Sequence, residues 1–316
     1  MKKILIVKTS SLGDVVHNFP ALADLRRRFP HAAVDWVVEE AYAPIVRMSG
    51  GVRKTIPVAV RRWRRRLLGA QTWREIADWR RVLGEESYDA VIDTQGLLKS
   101  AVLAAAATGR RHGFDAASAR ERAASRFYDV AHHVQRRLHA VERNRELVAA
   151  SLGYRVDEPP EYGFHGIARA GAQSREVVFL HSTSRADKHW AEERWIALGR
   201  LLERLDLDIV LPWGNEADRA RSERIRASLR RARVPPALGM ERIAQLLAGA
   251  RAVAGVDTGL VHLSAALGRP VAAIYCATDP RLTGTYGAPR SINVGAPGRP
   301  PAPDEVMQAL AACGAL

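Results

Sequence analysis

The chain has 316 residues, enough for two domains at roughly 150 residues each, and with 47% hydrophobic and 26% charged residues it is not a disordered polymer. Its 48 Lys and Arg against 34 Asp and Glu give a formal charge of +14. That excess fits polyanionic partners and equally an arginine-rich coding bias, since only six of the bases are lysine.

Met1-Lys2-Lys3 and the short apolar run Ile4 to Val7 are too brief for a signal peptide. Ile4 to Val7 reads as a strand opening into Lys8-Thr-Ser-Ser-Leu-Gly13-Asp14, and Val15 to Phe29 has helical spacing. Strand, small-residue loop and helix make the first unit of a parallel α/β sheet. Val34 to Val38 is a second strand, and Thr55 to Val60 a third, running into Arg61-Arg-Trp-Arg-Arg-Arg66. Tyr88 to Asp93 is another, followed by the loop Thr94 to Lys99 and an Ala-rich helix over 100–107. Val141 to Leu152 reads as a helix, and the stretch from Asp157 through Gly163 to Gly171 has linker chemistry.

The pattern then restarts. Val177 to Leu180 is a strand that opens into His181 to Lys188, and Glu192 to Leu205 is an amphipathic helix. Ile209 to Leu211 is a strand ending in Pro212-Trp-Gly214, with helices over Ala217 to Arg231 and Ile243 to Ala248. Ala252 to Val256 runs into Asp257-Thr-Gly259 and a helix over Leu260 to Leu267; Val271 to Tyr275 is the last strand. A terminal helix follows over Ala302 to Ala312. These elements predict an α/β fold of two Rossmann-like domains facing across a cleft, 1–160 and 161–301. The tail 302–316 is free to pack back on the first. No uncharged apolar stretch approaches the ~18 residues of a membrane-spanning helix, which fits a soluble, cytoplasmic protein able to dock on a membrane surface.

Residues 1–160 carry 28 bases and 18 acids, net +10, and residues 161–316 carry 20 and 16, net +4. The first domain therefore holds most of the field. Neither opening strand is followed by G-x-G-x-x-G, which disfavours a dinucleotide oxidoreductase. The basic run has no helix-turn-helix, zinc-knuckle or RNP signature, so nucleic acid is not the expected partner. The two cysteines, Cys276 and Cys313, lack metal-ligand spacing and fit buried thiols.

In open α/β sheets, ligands sit beyond the carboxyl ends of the strands. Asp14 falls there, either as a general base or as a helix-capping carboxylate. Ser182, Thr183, Ser184 and Lys188 suit a phosphate, with a solvated loop as the alternative. Val256-Asp-Thr-Gly-Leu-Val-His262 places Gly259 and a helix N-terminus where a diphosphate would gain roughly 0.3–2 kcal/mol, with His262 in the first turn; a cap with a structural histidine is the plainer reading.

Seven segments in order resemble the lipopolysaccharide heptosyltransferase I family of bacterial inner-core glycosyltransferases. They are Ile6 to Asp14, Asp35 to Glu40, Ile56 to Arg64, Tyr88 to Ser100, Asp187-Lys-His-Trp190, Leu211-Pro-Trp-Gly214 and Val256 to Leu263. The resemblance implies a GT-B fold, ADP-heptose as donor, the first Kdo of Kdo2-lipid A as acceptor, inversion at the anomeric carbon, and no metal or other cofactor. It implies work at the cytoplasmic face of the inner membrane. It assigns Asp14, after Gly13, as base and Lys188 to the donor phosphates. Gly13, Thr183, Ser184, Asp257, Thr258, Gly259 and His262 are the residues it implies for binding the donor. The family's ribose-binding Glu lies four residues after the Pro-Trp-Gly glycine, where this chain has Asp218; Glu216 is the substitute nearby. The acceptor's carboxylates and phosphates are expected to meet Arg61, Arg62, Arg64, Lys99 and Arg120, with Trp63 near the lipid. The closest rival within the fold adds heptose to heptose rather than to Kdo.

Overall fold

The computed structural model describes residues 2–164 and 174–316. The chain forms two compact units, Met1–His165 and Gly166–Leu316. The expected linker from residue 165 onward lies outside the described residues.

The first unit is a six-stranded parallel sheet. Its strands are β1 (Lys3–Val7), β2 (Ala33–Glu39), β3 (Lys54–Val58), β4 (Ser87–Asp93), β5 (Thr108–Phe114) and β6 (Val130–His132), in the spatial order β3-β2-β1-β4-β5-β6. The second unit repeats the plan with β7 (Glu176–Leu180), β8 (Asp208–Val210), β9 (Ala232–Arg233), β10 (Ala252–Val256), β11 (Val271–Tyr275) and β12 (Ser291–Gly295), ordered β12-β11-β10-β7-β8-β9. In each unit the first and fourth strands are neighbours at the centre. Strand order reverses there. Ligands of such sheets bind at that reversal.

The central strands explain the near-continuous apolar runs. A parallel sheet covered by helices buries both faces of each strand, and β2, β10 and β11 are buried at every position. Asp35 inside β2 is tolerated because it is paired: Arg53 donates to it through Nε at 2.9 Å, and the Tyr88 hydroxyl donates at 2.9 Å. The terminal helix Pro303–Ala312 belongs to the second unit, where Val306, Ala309 and Leu310 join Trp195, Leu198 and Ile274 in the core.

Several elements differ from the expectations. The helix over Val15 to Phe29 is two helices, Leu12–Val16 and Phe19–Arg28. Pro20 has no N–H to continue the first helix but suits the first turn of the second. Only Lys54–Val58 of the stretch to Val60 is strand; Arg61 to Trp63 lie on a short helix, Val60–Trp63. A 15-residue helix, Ala70–Gly84, follows the basic run. Strand β5 reads Thr-Gly-Arg-Arg-His-Gly-Phe, with no alternation to betray it. Gly113 in it is held to glycine by the Tyr128 ring, 2.3 Å from where a Cβ would stand.

Candidate active site

In the first unit, β1 ends in Lys8 and the loop to Asp14. Asp14 sits in the first turn of Leu12–Val16 and accepts from the Ser11 backbone N–H at 3.0 Å. The capping reading is thus met, but it does not exhaust the carboxylate. The Arg120 guanidinium donates to both oxygens, Nη1 to Oδ2 at 3.2 Å and Nη2 to Oδ1 at 2.5 Å. Burial works to raise the Asp14 pKa. The Lys8 and Arg120 charges, with the Arg120 and Ser11 hydrogen bonds, outweigh it and hold the carboxyl well below the usual carboxylate range.

Lys8 is buried, donating from Nζ to the Thr94 carbonyl at 2.8 Å and to Asn144 Oδ1 at 3.3 Å. Burial lowers its ammonium pKa to about 7, opposed by Asp14 and Asp93. The loop after β4 closes over the loop after β1. Gln95 Oε1 accepts from the Thr9 N–H at 2.7 Å and the Thr9 hydroxyl at 2.8 Å, and Lys99 Nζ donates to Ser10 Oγ at 2.8 Å. Burial lowers the Lys99 pKa, with Glu39 and Asp14 opposing. Asp93 anchors the turn beneath: it accepts from the Gln95 N–H at 2.8 Å, and from Ser100 Oγ and the Tyr128 hydroxyl, each at 2.8 Å.

The arginines proposed for the acceptor separate into different situations. Arg61 is exposed, its guanidinium over the Tyr42 ring at 5.4 Å. Arg64 is exposed and makes no ion pair among the described residues. Arg62 is bound to both Glu40 and Glu75, through Nη2 at 3.1 Å and Nη1 at 2.6 Å, so an incoming anion must compete with two carboxylates. Trp63 is buried and donates to Glu75 Oε2 at 2.8 Å, while its side chain lines an apolar cavity with Leu67, Leu98 and Val102.

In the second unit, the loops after β7 and β10 meet at Asp257. Its Oδ2 accepts from Lys188 Nζ at 2.7 Å and Thr278 Oγ1 at 2.6 Å, and His262 Nε2 lies 3.5 Å from Oδ1. Burial again works to raise the pKa, and the His262, Lys188 and Thr278 contacts drive it far below the carboxylate range. Thr183 Oγ1 donates to the Asp257 carbonyl at 3.4 Å. Gly259 begins the helix Gly259–Ala266, with Thr258 as its cap residue, so free N–H groups point out beside Lys188. Ser184 is exposed. Glu216 and Asp218 open the helix Glu216–Ala227; Asp218 accepts from Asn215 Nδ2 at 2.9 Å, while Glu216 is largely exposed.

The structure thus brings Asp14, Lys99 and Arg120 together in one unit, and Lys188, Asp257, Thr258, Gly259 and His262 together in the other. Lys8, Gln95 and Thr278 were not anticipated. All three stand just beyond strand ends, which is the signal that could have found them. Among the described residues no cluster of His, Cys, Asp and Glu is arranged to hold a metal ion, and no helix is long and apolar enough to cross a membrane.

The family profile of glycosyltransferase family 9 (heptosyltransferase) matches residues 76–313. Lipopolysaccharide heptosyltransferase 1 of Salmonella typhimurium is 46% identical over 292 residues, 90% of this chain and 92% of that protein. The protein of the same name in Pseudomonas aeruginosa is 46% identical over 293 residues, 90% of this chain and 81% of its own. The solved E. coli heptosyltransferase WaaC with ADP superimposes with a TM-score of 0.91 at 42% identity, covering 98% of this chain and 99% of that one. The same enzyme with ADP-2-deoxy-2-fluoro heptose gives 0.88 at the same identity and coverage. Fold and likeness together define a glycosyltransferase of the GT-B fold. The chain belongs to glycosyltransferase family 9, the heptosyltransferases, and groups there with lipopolysaccharide heptosyltransferase I.

Proposed function

We propose that the enzyme transfers L-glycero-D-manno-heptose from ADP-heptose to the first Kdo of Kdo2-lipid A, with inversion, at the cytoplasmic face of the inner membrane. The observation that carries the reading is the pairing of Asp14 with Arg120 at the end of β1. A carboxylate held ionised at any working pH is in the protonation state that a base requires. A guanidinium on the same spot supplies a binding partner for the Kdo carboxylate.

In the first unit, Asp14 takes the acceptor hydroxyl proton as the anomeric carbon gains oxocarbenium character, a role typically worth about 10²–10⁴ in rate. Arg120 and Lys99 flank it, and Arg61, Arg64 and, by exchange with its carboxylates, Arg62 meet the acceptor's other anionic groups. Gly13, with no side chain, lets substrate approach the backbone next to the base. In the second unit, Lys188 needs only one of its three N–H donors for Asp257. The others are free for the donor's diphosphate, whose leaving charge the Gly259 helix terminus and Thr258 also stabilise. Thr183, Ser184 and His262 add donors around it, and Glu216 or Asp218 takes the ribose hydroxyls.

The test is a single incubation of ADP-heptose with Kdo2-lipid A, followed by determination of the linkage and anomeric configuration of the product. Heptose on the first Kdo with inverted configuration is expected. Transfer only to an acceptor already carrying heptose would assign the enzyme to the rival activity.

A further inference from the structure

The stretch 61–81 holds eight arginines and two acids, net +6, more than half of the first half's excess. Arg65, Arg66, Arg74 and Arg80 make no ion pair among the described residues. Large apolar side chains stand out among them: Leu68 is fully exposed, Trp73 is 58% exposed and Leu67 49%. Trp73 is not loose; its Nε1 donates to the Leu67 carbonyl at 2.8 Å, which ties the helix Ala70–Gly84 to the turn before it and holds the two leucines out. Leu67 also lines an apolar cavity of about 640 Å³, whose wall continues through Leu98 and Val102, 42% and 52% exposed. The apolar tip is therefore continuous with a larger apolar surface, which Arg80 also lines, and Arg65, Arg66 and Arg74 adjoin the tip in the chain.

We propose that Leu67, Leu68 and Trp73 form a wedge that inserts into an anionic phospholipid bilayer, with Arg65, Arg66, Arg74 and Arg80 against its headgroups. The chemistry selects that occupant. A tryptophan with an apolar body and a satisfied N–H suits the headgroup boundary. Basic residues next to such a surface are attracted by the negative potential of anionic lipids. A protein partner for an apolar tip adjoined by like charges would have to be strongly acidic around an apolar pocket, a narrower requirement than a bilayer. The proposal rests on the lipid-linked acceptor reading for its purpose but not for its test.

The full chain is mixed with vesicles of neutral phosphatidylcholine, or of the same lipid with phosphatidylglycerol, and bound protein is sedimented. Binding to anionic vesicles that falls at least ~10-fold in a Leu67→Ser/Leu68→Ser/Trp73→Ser variant is expected, with lesser losses in Arg65→Gln/Arg66→Gln and at high salt. Brominated acyl chains should quench the wild-type tryptophan emission, and Trp73→Phe should remove most of that quenching. Vesicle binding that is unchanged in the triple variant overturns the proposal, as does a dimer of the wild type in sedimentation equilibrium that the variant abolishes. Turnover of a soluble, deacylated Kdo acceptor by the triple variant should match wild type. If wild type itself cannot use that acceptor, it is the acceptor reading that fails, independently of the vesicle result.

Discussion

Arg120 holds both oxygens of Asp14, the carboxylate proposed as base. An anchored carboxylate is reliably ionised but is a weaker proton acceptor than a free one, because the same charge that stabilises the anion lowers its basicity. An acceptor carboxylate drawn to Arg120 would loosen that grip at the moment the base is needed. Arg120→Ala should move the acid limb of the kcat/KM profile upward. In wild type the limb lies below the ordinary carboxylate range. In the variant the guanidinium's charge and hydrogen bonds are gone while burial remains, so the limb rises, with the Lys8 charge and the Ser11 N–H still opposing burial. Acceptor KM should rise as well. An acid limb that stays in place would detach Arg120 from the electrostatics of Asp14.

Asp14→Ala should abolish transfer, by about 10²–10⁴ or more, and leave ADP affinity within a few-fold of wild type. Asp14 lies in the first unit, whereas the groups assigned to the nucleotide, Gly13 apart, lie in the second. Product assay and calorimetric ADP titration separate the two effects. Near wild-type turnover would remove Asp14 from the base role and leave it as a helix cap.

Lys188→Ala should weaken ADP binding by roughly 10- to 100-fold, the value of a charge-assisted hydrogen bond to phosphate at about 1.5–3 kcal/mol. It also strips one partner from buried Asp257, leaving Thr278 and His262. Lys188→Arg restores the charge but adds a planar fork in place of a point donor, so it should recover the stability loss more fully than the binding. Thermal melting and ADP titration on both variants test this; unchanged ADP affinity in Lys188→Ala would end the phosphate assignment.

The core strands were legible because buried parallel strands read as short β-branched runs, and β1, β4, β7, β10 and β11 all do. The loops after them were legible because polar residues and glycines gather at strand ends. What escaped has physical reasons. β5 and β12 are half-polar strands toward the sheet edges, and β9 is two residues long. Their pairing is dictated by neighbours rather than by their own pattern. The helix Ala70–Gly84 follows directly on the basic run and buries only Thr72, Trp79 and Leu83, a thin apolar stripe in a charged stretch. Arg62 and Trp63 looked available in sequence, but Glu75, twelve or thirteen residues on, binds both. The Arg120–Asp14 pair spans 106 residues, and no local pattern announces a contact of that range.

His181 couples the donor unit's stability to pH. It is wholly buried at the end of β7, with Nε2 2.7 Å from Ser222 Oγ and Nδ1 3.0 Å from Ser182 Oγ. Burial, reinforced by the Arg221 charge, lowers its pKa to about 3. The unfolded chain takes up a proton on this imidazole near pH 6.5, while the folded chain resists until about pH 3. The unfolded state therefore binds more protons between those values, and stability falls as pH drops through the window. Above pH 6.5 the group contributes no pH dependence. The slope approaches about 1.4 kcal/mol per pH unit, so wild type should lose about 2 kcal/mol by pH 5 from this residue. His181→Gln keeps a hydrogen-bonding group for Ser222 but cannot take a proton. Urea unfolding at pH 7.5 and pH 5 should show the gap between wild type and His181→Gln narrowing by that amount in acid. A gap that is constant across the two conditions would mean that the buried imidazole is not the acid-sensitive group.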